Sequence, residues 1–194
     1  MSNLQERRLP FVLTPEVRSI QISAGTRCSI AGAQLPPDMW AELPVQRPQI
    51  LFGYVSDYKR LLESVHRRMY NPESVDHAVI VLIQHGDAPL TDGVRDDLWR
   101  GFRVPVYQVF LSPTGTLLAW ECEMREGLHL EPGLSVVSGS SELLFESRKR
   151  ERFQTGLSAR IETDPCQCGR KSPRLVDLAS IKRSLKRRLL SPAA

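Results

Sequence analysis

A run of six apolar residues at positions 78–83, AVIVLI, constrains the fold of this 194-residue chain most strongly. Its length and β-branched composition are typical of a buried strand. Residues 56–70, which precede this run, carry apolar residues at helical spacing. A second helix is predicted after it, from the N-cap Thr91 to Gly101. Strands then follow at 104–111 and 116–123, and the order strand, helix, strand predicts a βαβ unit with a parallel sheet in an α/β fold.

The rest of the chain divides around this unit. We expect a mobile N-terminal arm at 1–21, an α/β domain at 22–174 and a basic amphipathic helix at 175–194. Residues 24–49 contain two glycines and four prolines and are predicted to be rich in loops. Shorter strand patterns beyond residue 129 predict a β-rich segment, with strands at 134–137, 142–146 and 159–162.

Targeting signals are not visible in the sequence. No apolar run approaches the roughly 20 residues that a membrane-spanning helix needs. The first residues lack the long apolar core of a signal peptide. We therefore expect a cytoplasmic location, where thiols stay reduced and metal binding or burial competes better than disulfide formation.

Three cysteines and one histidine form the set with the clearest chemistry. Cys122 and His129 bracket a turn at Gly127, and Cys166 and Cys168 form a Cys-x-Cys pair ahead of a glycine. Three thiolates and one imidazole are a standard closed ligand set for zinc, so we predict a structural Zn²⁺ ion that fastens two distant loops. The alternative is a core cysteine at 122, a surface histidine at 129 and a coincidental pair.

The basic character of the chain lies in its last residues. The net charge is +4, while residues 171–194 contain seven basic residues and one acidic residue, Asp177. Leucine and isoleucine side chains share one face of the predicted helix, which either docks on the domain or leaves a basic face for nucleic acid, an acidic membrane or a protein partner. The residues predicted to contact nucleic acid are Lys182, Arg183, Lys186, Arg187 and Arg188.

Several segments together resemble phenylacetate–CoA ligases, which belong to the adenylate-forming superfamily. They are VPVYQVF at 104–110, ECEMREGLHL at 121–130, RFQTG at 152–156 and PCQCGRKSPR at 165–174. HGDAPLT at 85–91 is similar to the family's Gly-Glu-Pro-Leu-Thr loop, and SAGT at 23–26 to the start of its phosphate loop. The resemblance implies part of the family's large α/β domain, and an ancestral activity in which ATP activates a carboxylic acid for transfer to coenzyme A.

The nucleotide site implied by the resemblance is incomplete in this chain. Its remnants are Gly25, Thr26, Arg152 and Thr155. The second glycine of the phosphate loop is replaced by Cys28, the acid expected beside Mg²⁺ by Thr114, and the acid expected on the ribose by Leu157.

These departures predict a shortened, degenerate relative without catalytic residues. We expect it to act as a zinc-stabilised binding or accessory module that does not use ATP, Mg²⁺ or coenzyme A. The alternative is residual adenylation or CoA ligation, completed by a partner chain.

Overall fold

The fold is organised around one large mixed sheet. A computed structural model describes residues 9–10, 16–67, 71–137, 142–147 and 150–181. The large sheet has nine strands in the order β11-β12-β7-β6-β5-β4-β3-β1-β2, and a smaller sheet has the order β10-β9-β8. The strands are β1 Ser19–Gln21, β2 Ala33–Gln34, β3 Ile50–Gly53, β4 Ala78–Ile83, β5 Val106–Leu111, β6 Leu117–Glu121, β7 Leu128–Leu130, β8 Leu134–Val137, β9 Leu144–Ser147, β10 Arg152–Gln154, β11 Leu157–Glu162 and β12 Arg174–Ser180.

One half of the large sheet is parallel. Strands β2, β1, β3, β4 and β5 run in the same direction. Helix α2, Val55–His66, connects β3 to β4, and helix α3, Asp92–Phe102, connects β4 to β5. The predicted βαβ unit is therefore confirmed.

Short helical turns lie outside this unit. Between β2 and β3 lie a 3-10 helix, Pro37–Glu42, and the single-turn helix α1, Leu43–Gln46. A second 3-10 turn, Pro72–Ser74, precedes β4.

The other half of the large sheet is antiparallel. Strand β6 returns along β5 after a tight turn, and β7, β12 and β11 continue the alternation. A tight turn suffices because antiparallel neighbours do not need a crossover helix. The small sheet of β8, β9 and β10 packs Phe145 edge-to-face against Phe110 of β5, with ring centroids 5.6 Å apart.

Both faces of the parallel half are buried. Val79 and Val81 of β4 face α2 and α3, where Tyr58, Leu98 and Phe102 complete one apolar cluster. The intervening residues of β4 pack with the other face of the sheet and with the segment around Cys28. Burial on both faces explains why the sequence of β4 is an unbroken apolar run.

Among the described residues, no helix has the length and apolar character needed to cross a bilayer.

A buried ion pair joins the two halves of the sheet. Arg95 of α3 makes two hydrogen bonds to Glu121 of β6, at 2.8 and 3.0 Å. The Glu121 side chain is 2% exposed and also accepts a 3.1 Å hydrogen bond from the backbone N–H of Gln108 in β5. The pair therefore fixes α3 over the two strands at which the sheet changes direction.

Two predicted boundaries are wrong. Residues 19–21 belong to β1, inside the sheet, rather than to a mobile arm, because their backbone pairs with β2 and β3. The predicted helix at 175–194 is wrong over 175–180, which form most of β12, and the basic residues from 182 onward lie outside the described residues.

The error in β12 has a local cause. Strand β12 carries one extra residue relative to β11 between Val176 and Ala179, and Asp177 there has φ +56°. This β-bulge shifts the alternation of side chains. Leu175 and Leu178, three residues apart, therefore pack in the same cluster and reproduce a helical spacing in a strand.

The turn between β5 and β6 gives a test of the fold. Gly115 has φ +80°, and a Cβ atom there would lie 1.8 Å from the carbonyl oxygen of Arg27. We expect Gly115→Ala to lower the free energy of unfolding by at least about 2 kcal/mol, since the left-handed backbone alone costs about 1–2 kcal/mol. Chemical denaturation measures the change.

The matched control is Gly93→Ala in α3, where a Cβ atom would meet nothing within 4 Å. It should leave stability unchanged or raise it by up to about 1 kcal/mol, because alanine favours helix more than glycine does. Equal stability of the two variants would contradict the described packing of the 112–115 turn on residue 27.

Candidate functional site

The four residues predicted as metal ligands come from two separate parts of the fold. Cys122 directly follows β6, and His129 lies in β7. Cys166 and Cys168 lie in the loop between β11 and β12. Because β12 pairs with β7, the loop that precedes β12 is brought back over the β6–β7 hairpin. The topology therefore brings together residues that are 39 and 44 positions apart in the sequence, His129 with Cys168 and Cys122 with Cys166.

The ligand atoms converge on one point. The three sulfurs and one imidazole nitrogen all lie within 4.8 Å of one another. The sulfurs of Cys122 and Cys166 are 3.7 Å apart, and the sulfur of Cys168 is 3.4 Å from Nε2 of His129. Tetrahedral zinc with bonds of about 2.0–2.3 Å separates its ligand atoms by roughly 3.3–3.8 Å. The group could therefore hold a metal ion with little movement.

The His129 ring is oriented for this role. It is fully buried, so the alternative of a surface histidine is wrong. Its Nδ1 lies 2.9 Å from the hydroxyl of Ser172, which leaves Nε2 to face the sulfurs. Burial lowers the pKa of His129, and the nearby Arg170 and Arg174 lower it further. A neutral imidazole with one ring nitrogen anchored is the form that binds metal.

The thiols differ in their environment. Burial raises the pKa of Cys122 to about 12. Burial also acts to raise the pKa of Cys168, but hydrogen bonds from the backbone and side chain of Arg170 and contacts with the other thiols lower it overall. Without a cation, the buried sulfur therefore holds its proton, and a metal ion would replace that proton with positive charge.

A tight turn aims the Cys-x-Cys pair. The N–H of Gly169 donates to the carbonyl of Cys166 at 2.8 Å, and the N–H of Cys166 donates to the carbonyl of Arg170 at 3.1 Å. Gly169 has φ +81°, which a residue with a Cβ adopts at a cost. The Arg170 side chain bonds Glu123 at 3.1 Å, so a salt bridge also connects this turn with the β6–β7 hairpin.

A second candidate region lies at the carboxyl ends of the parallel strands, where open α/β sheets commonly bind ligands. A cavity of about 740 Å³ opens there between the β4–α3 loop, the β5–β6 turn and β10. It is lined by Gln84, His85, Pro113, Leu144, Arg152, Phe153 and Gln154. Thr26 reaches the same edge, where its hydroxyl donates to the carbonyl of Pro113 at 3.3 Å.

The polar groups predicted as nucleotide-site remnants are engaged within the protein. The Arg152 guanidinium bonds Glu146 at 2.8 Å. Thr155 is fully buried, and its hydroxyl donates to the carbonyl of Leu143 at 2.8 Å. Gly25 lies against the ring of Tyr54. The structure thus brings Thr26 and Arg152 to one edge but uses Thr155 to hold the chain in place.

The segment at the position of the phosphate loop is held by a glutamine that sequence reasoning missed. The Gln21 amide donates to the Ser23 hydroxyl at 2.7 Å and to the Thr26 carbonyl at 2.9 Å. Its oxygen accepts the N–H of Cys28 at 2.6 Å. A phosphate loop needs free backbone N–H groups, and the N–H of Cys28 is already bonded to Gln21. The sequence signal that could have identified Gln21 is its position as a polar residue between Ile20 and Ile22.

The two positions at which the resemblance predicts acids are neutral: Leu157 lies in the interior and Thr114 is exposed. Leu157 is fully buried in the cluster around Phe145. The Thr114 hydroxyl lies 2.9 Å from the hydroxyl of Ser112. Ser172, which orients His129, was also missed in the sequence analysis. Ser172 lies four residues after Cys168 in a polar stretch, and no sequence pattern distinguishes it.

Comparison with known proteins finds similarity in structure alone. No protein-family model matches the chain, and no curated protein matches its sequence. An open conformation of 2-hydroxyisobutyryl-CoA ligase, in complex with 2-HIB-AMP and CoA, matches with a TM-score of 0.62 and 16% identity, covering 82% of this chain and 44% of the ligase.

Two further solved structures match less closely. An ATP-bound RpMatB-BxBclM chimera matches with a TM-score of 0.53 and 14% identity, over 86% of this chain and 40% of the chimera. Coronafacic acid ligase from Pectobacterium brasiliense matches with a TM-score of 0.50 and 11% identity, over 75% of this chain and 33% of the ligase. The chain thus spans less than half the length of these proteins, and it has the fold of part of the adenylate-forming ligases.

Proposed function

We propose that this chain is a non-catalytic binding or accessory module with a ligase-type fold, stabilised by one structural zinc ion. The convergence of the four ligand atoms within 4.8 Å carries the proposal. Three thiolates and one imidazole make a closed tetrahedral set, with no position left for substrate or water. Such a site contributes to folding rather than to chemistry.

Zinc would add a cross-link between β7 and β12, which are joined by few backbone pairs. Strand β7 pairs with β12 over two residue pairs, Leu128 with Leu175 and His129 with Arg174. An ion held by Cys122 and His129 on one side, and by Cys166 and Cys168 on the other, would connect the β6–β7 hairpin to the loop before β12. The loop of 11 residues between β11 and β12 would then lose much of its freedom.

The carboxyl edge of the sheet supports the non-catalytic part of the proposal. Adenylation needs a carboxylate beside Mg²⁺ and an acceptor for the ribose hydroxyls, and Thr114 and Leu157 supply neither. The backbone N–H of Cys28 bonds Gln21, so it does not face a phosphate. Thr114 and Cys28 form hydrogen bonds within the protein, and Leu157 packs in the core.

One observation favours a second candidate function. The cavity of about 740 Å³ at the same edge retains Arg152, so residual acyl- or aryl-acid adenylation completed by a partner chain is the alternative. Titration with ATP, AMP and coenzyme A separates the two functions, because the alternative requires the nucleotide to bind.

Loss of one ligand tests the zinc site. Wild-type protein should contain about one zinc ion per chain, measured by elemental analysis after gel filtration. We expect Cys166→Ser to lose the metal and to lower the melting temperature by roughly 5 °C or more, because each kcal/mol lost is worth about 2–4 °C in a chain of this size. Thermal denaturation of the two proteins measures the difference.

The matched control is Cys28→Ala. Cys28 is also buried, but it lies in the apolar cluster around Phe52 and Ile80 and is not one of the four converging residues. This variant should keep the wild-type metal content whatever its stability. Equal zinc content in wild type and Cys166→Ser would contradict the zinc site.

A substitution at Leu157 tests whether restoring the missing acid restores nucleotide binding. Restoring an acid there with Leu157→Asp should not create ATP affinity, because the side chain would lie in the core rather than in the cavity. We expect it to lower the free energy of unfolding by about 3 kcal/mol or more, against about 1.5 kcal/mol or less for the control Leu157→Met. Urea denaturation and calorimetry with millimolar ATP measure both effects.

Two results would contradict the non-catalytic proposal. One is ATP-dependent release of pyrophosphate by the wild-type protein with a panel of aryl and fatty acids. The other is a Leu157→Asp protein of wild-type stability that binds ATP.

A further inference from the structure

The thiols of the candidate metal centre differ sharply in access to solvent. Cys122 is 0% exposed and Cys166 is 3% exposed, whereas Cys168 is partly exposed. Cys28, outside the centre, is 0% exposed. A small polar oxidant can therefore reach the sulfur of Cys168 before it reaches the others.

We propose that Cys168 is an oxidation site for hydrogen peroxide, that oxidation joins Cys168 to Cys122 in a disulfide, and that this disulfide expels the metal. The inference rests on the proposed function, since it requires the reduced protein to hold zinc. It adds to that function a condition under which the ion is released.

The reaction balances with peroxide as the oxidant. The sulfur of Cys168 attacks one peroxide oxygen, the O–O bond breaks, and the other oxygen leaves as water after taking a proton, which gives a sulfenic acid. The sulfur of Cys122 then attacks the sulfenic sulfur, the S–O bond breaks, and a second water leaves. Overall, two metal-bound thiolates, one hydrogen peroxide and two protons from solvent give one disulfide and two water molecules.

Cys122 is a better partner for Cys168 than Cys166 is. Both sulfurs lie within 4.8 Å of the Cys168 sulfur. Cys166 and Cys168 share one tight turn, closed by the Gly169 N–H to Cys166 carbonyl bond of 2.8 Å, and a bridge across a single residue would distort that turn. Cys122 approaches from a different segment, so the two sulfurs can close to bonding distance by small movements of separate loops.

The disulfide removes half of the ligand set. Sulfurs of a disulfide are no longer thiolates, which are the metal-binding form of cysteine. His129 and Cys166 would remain, and two ligands do not hold zinc as a closed set of four does. The β6–β7 hairpin would stay fastened to the loop before β12 through the new covalent bond, so the fold would survive release of the ion.

The test uses the wild-type zinc-loaded protein, with Cys28 as an internal control thiol. Peroxide is added in steps while a chromogenic chelator reports free zinc, dimedone traps sulfenic acid, and peptide mass spectrometry assigns adducts and disulfides. We expect the first dimedone adduct on Cys168. Without dimedone, we expect one Cys122–Cys168 disulfide for each zinc ion released, with Cys28 still reduced. Dithiothreitol and added zinc should restore the starting state.

Other results would overturn the inference. These are zinc that stays bound at tenfold excess of peroxide, a first adduct on a cysteine other than Cys168, or a disulfide between Cys122 and Cys166. A reduced protein that contains no zinc before any peroxide is added would refute the proposed function instead, and that measurement comes first.

Discussion

The ion pair between Arg95 and Glu121 holds the part of the fold on which the candidate metal centre depends. Glu121 is the last residue of β6, and Cys122 follows it directly. The carboxylate is 2% exposed and bonds both the guanidinium of α3 and the backbone of β5. Removing one partner of such a pair costs about 3–5 kcal/mol, since the other charge is left buried. The position of Cys122 is thus set by a contact with a helix on the parallel side of the sheet.

The two halves of the sheet differ in what their polar groups do. In the antiparallel half, the ligand atoms of Cys122, His129, Cys166 and Cys168 converge in an arrangement suited to a cation, and Ser172 contacts the other ring nitrogen of His129. At the carboxyl edge of the parallel half, Gln21 bonds the backbone of its own loop, and Thr155 bonds the backbone of the segment before β9. Hydrogen-bonding capacity at that edge supports local structure, because buried polar groups that lack a ligand need partners within the protein.

Much of the parallel half could be predicted from the sequence because its signals are local. The run at 78–83 is apolar along its whole length, and Thr91 caps α3 by accepting the N–H of Val94 at 3.4 Å. The four ligand residues could be named because cysteine and histidine are few and their chemistry is specific. Their convergence could not be derived from spacing, since it depends on the pairing of β7 with β12.

The remaining structure depends on contacts that no local pattern encodes. Strands β1 and β3 are three and four residues long, too short for a reliable period, and they are placed by pairing, β3 along β4 and β1 along β3. The bulge at Asp177 gave β12 the spacing of a helix, which is why residues 175–180 were predicted to be helical. The role of Gln21 follows from where its loop folds back, and the sequence alone does not carry that geometry.

The close approach of Gly127 to β12 has a consequence for how a cation would bind. A Cβ atom at Gly127 would lie 2.4 Å from the carbonyl oxygen of Leu175, so the hairpin and the strand already touch through their backbones. With β7 and β12 also paired at His129, the two sides of the cage are in register before any ion arrives. Zinc would therefore have to order only the loop between β11 and β12, whereas the metal of a zinc finger must order the whole chain around itself.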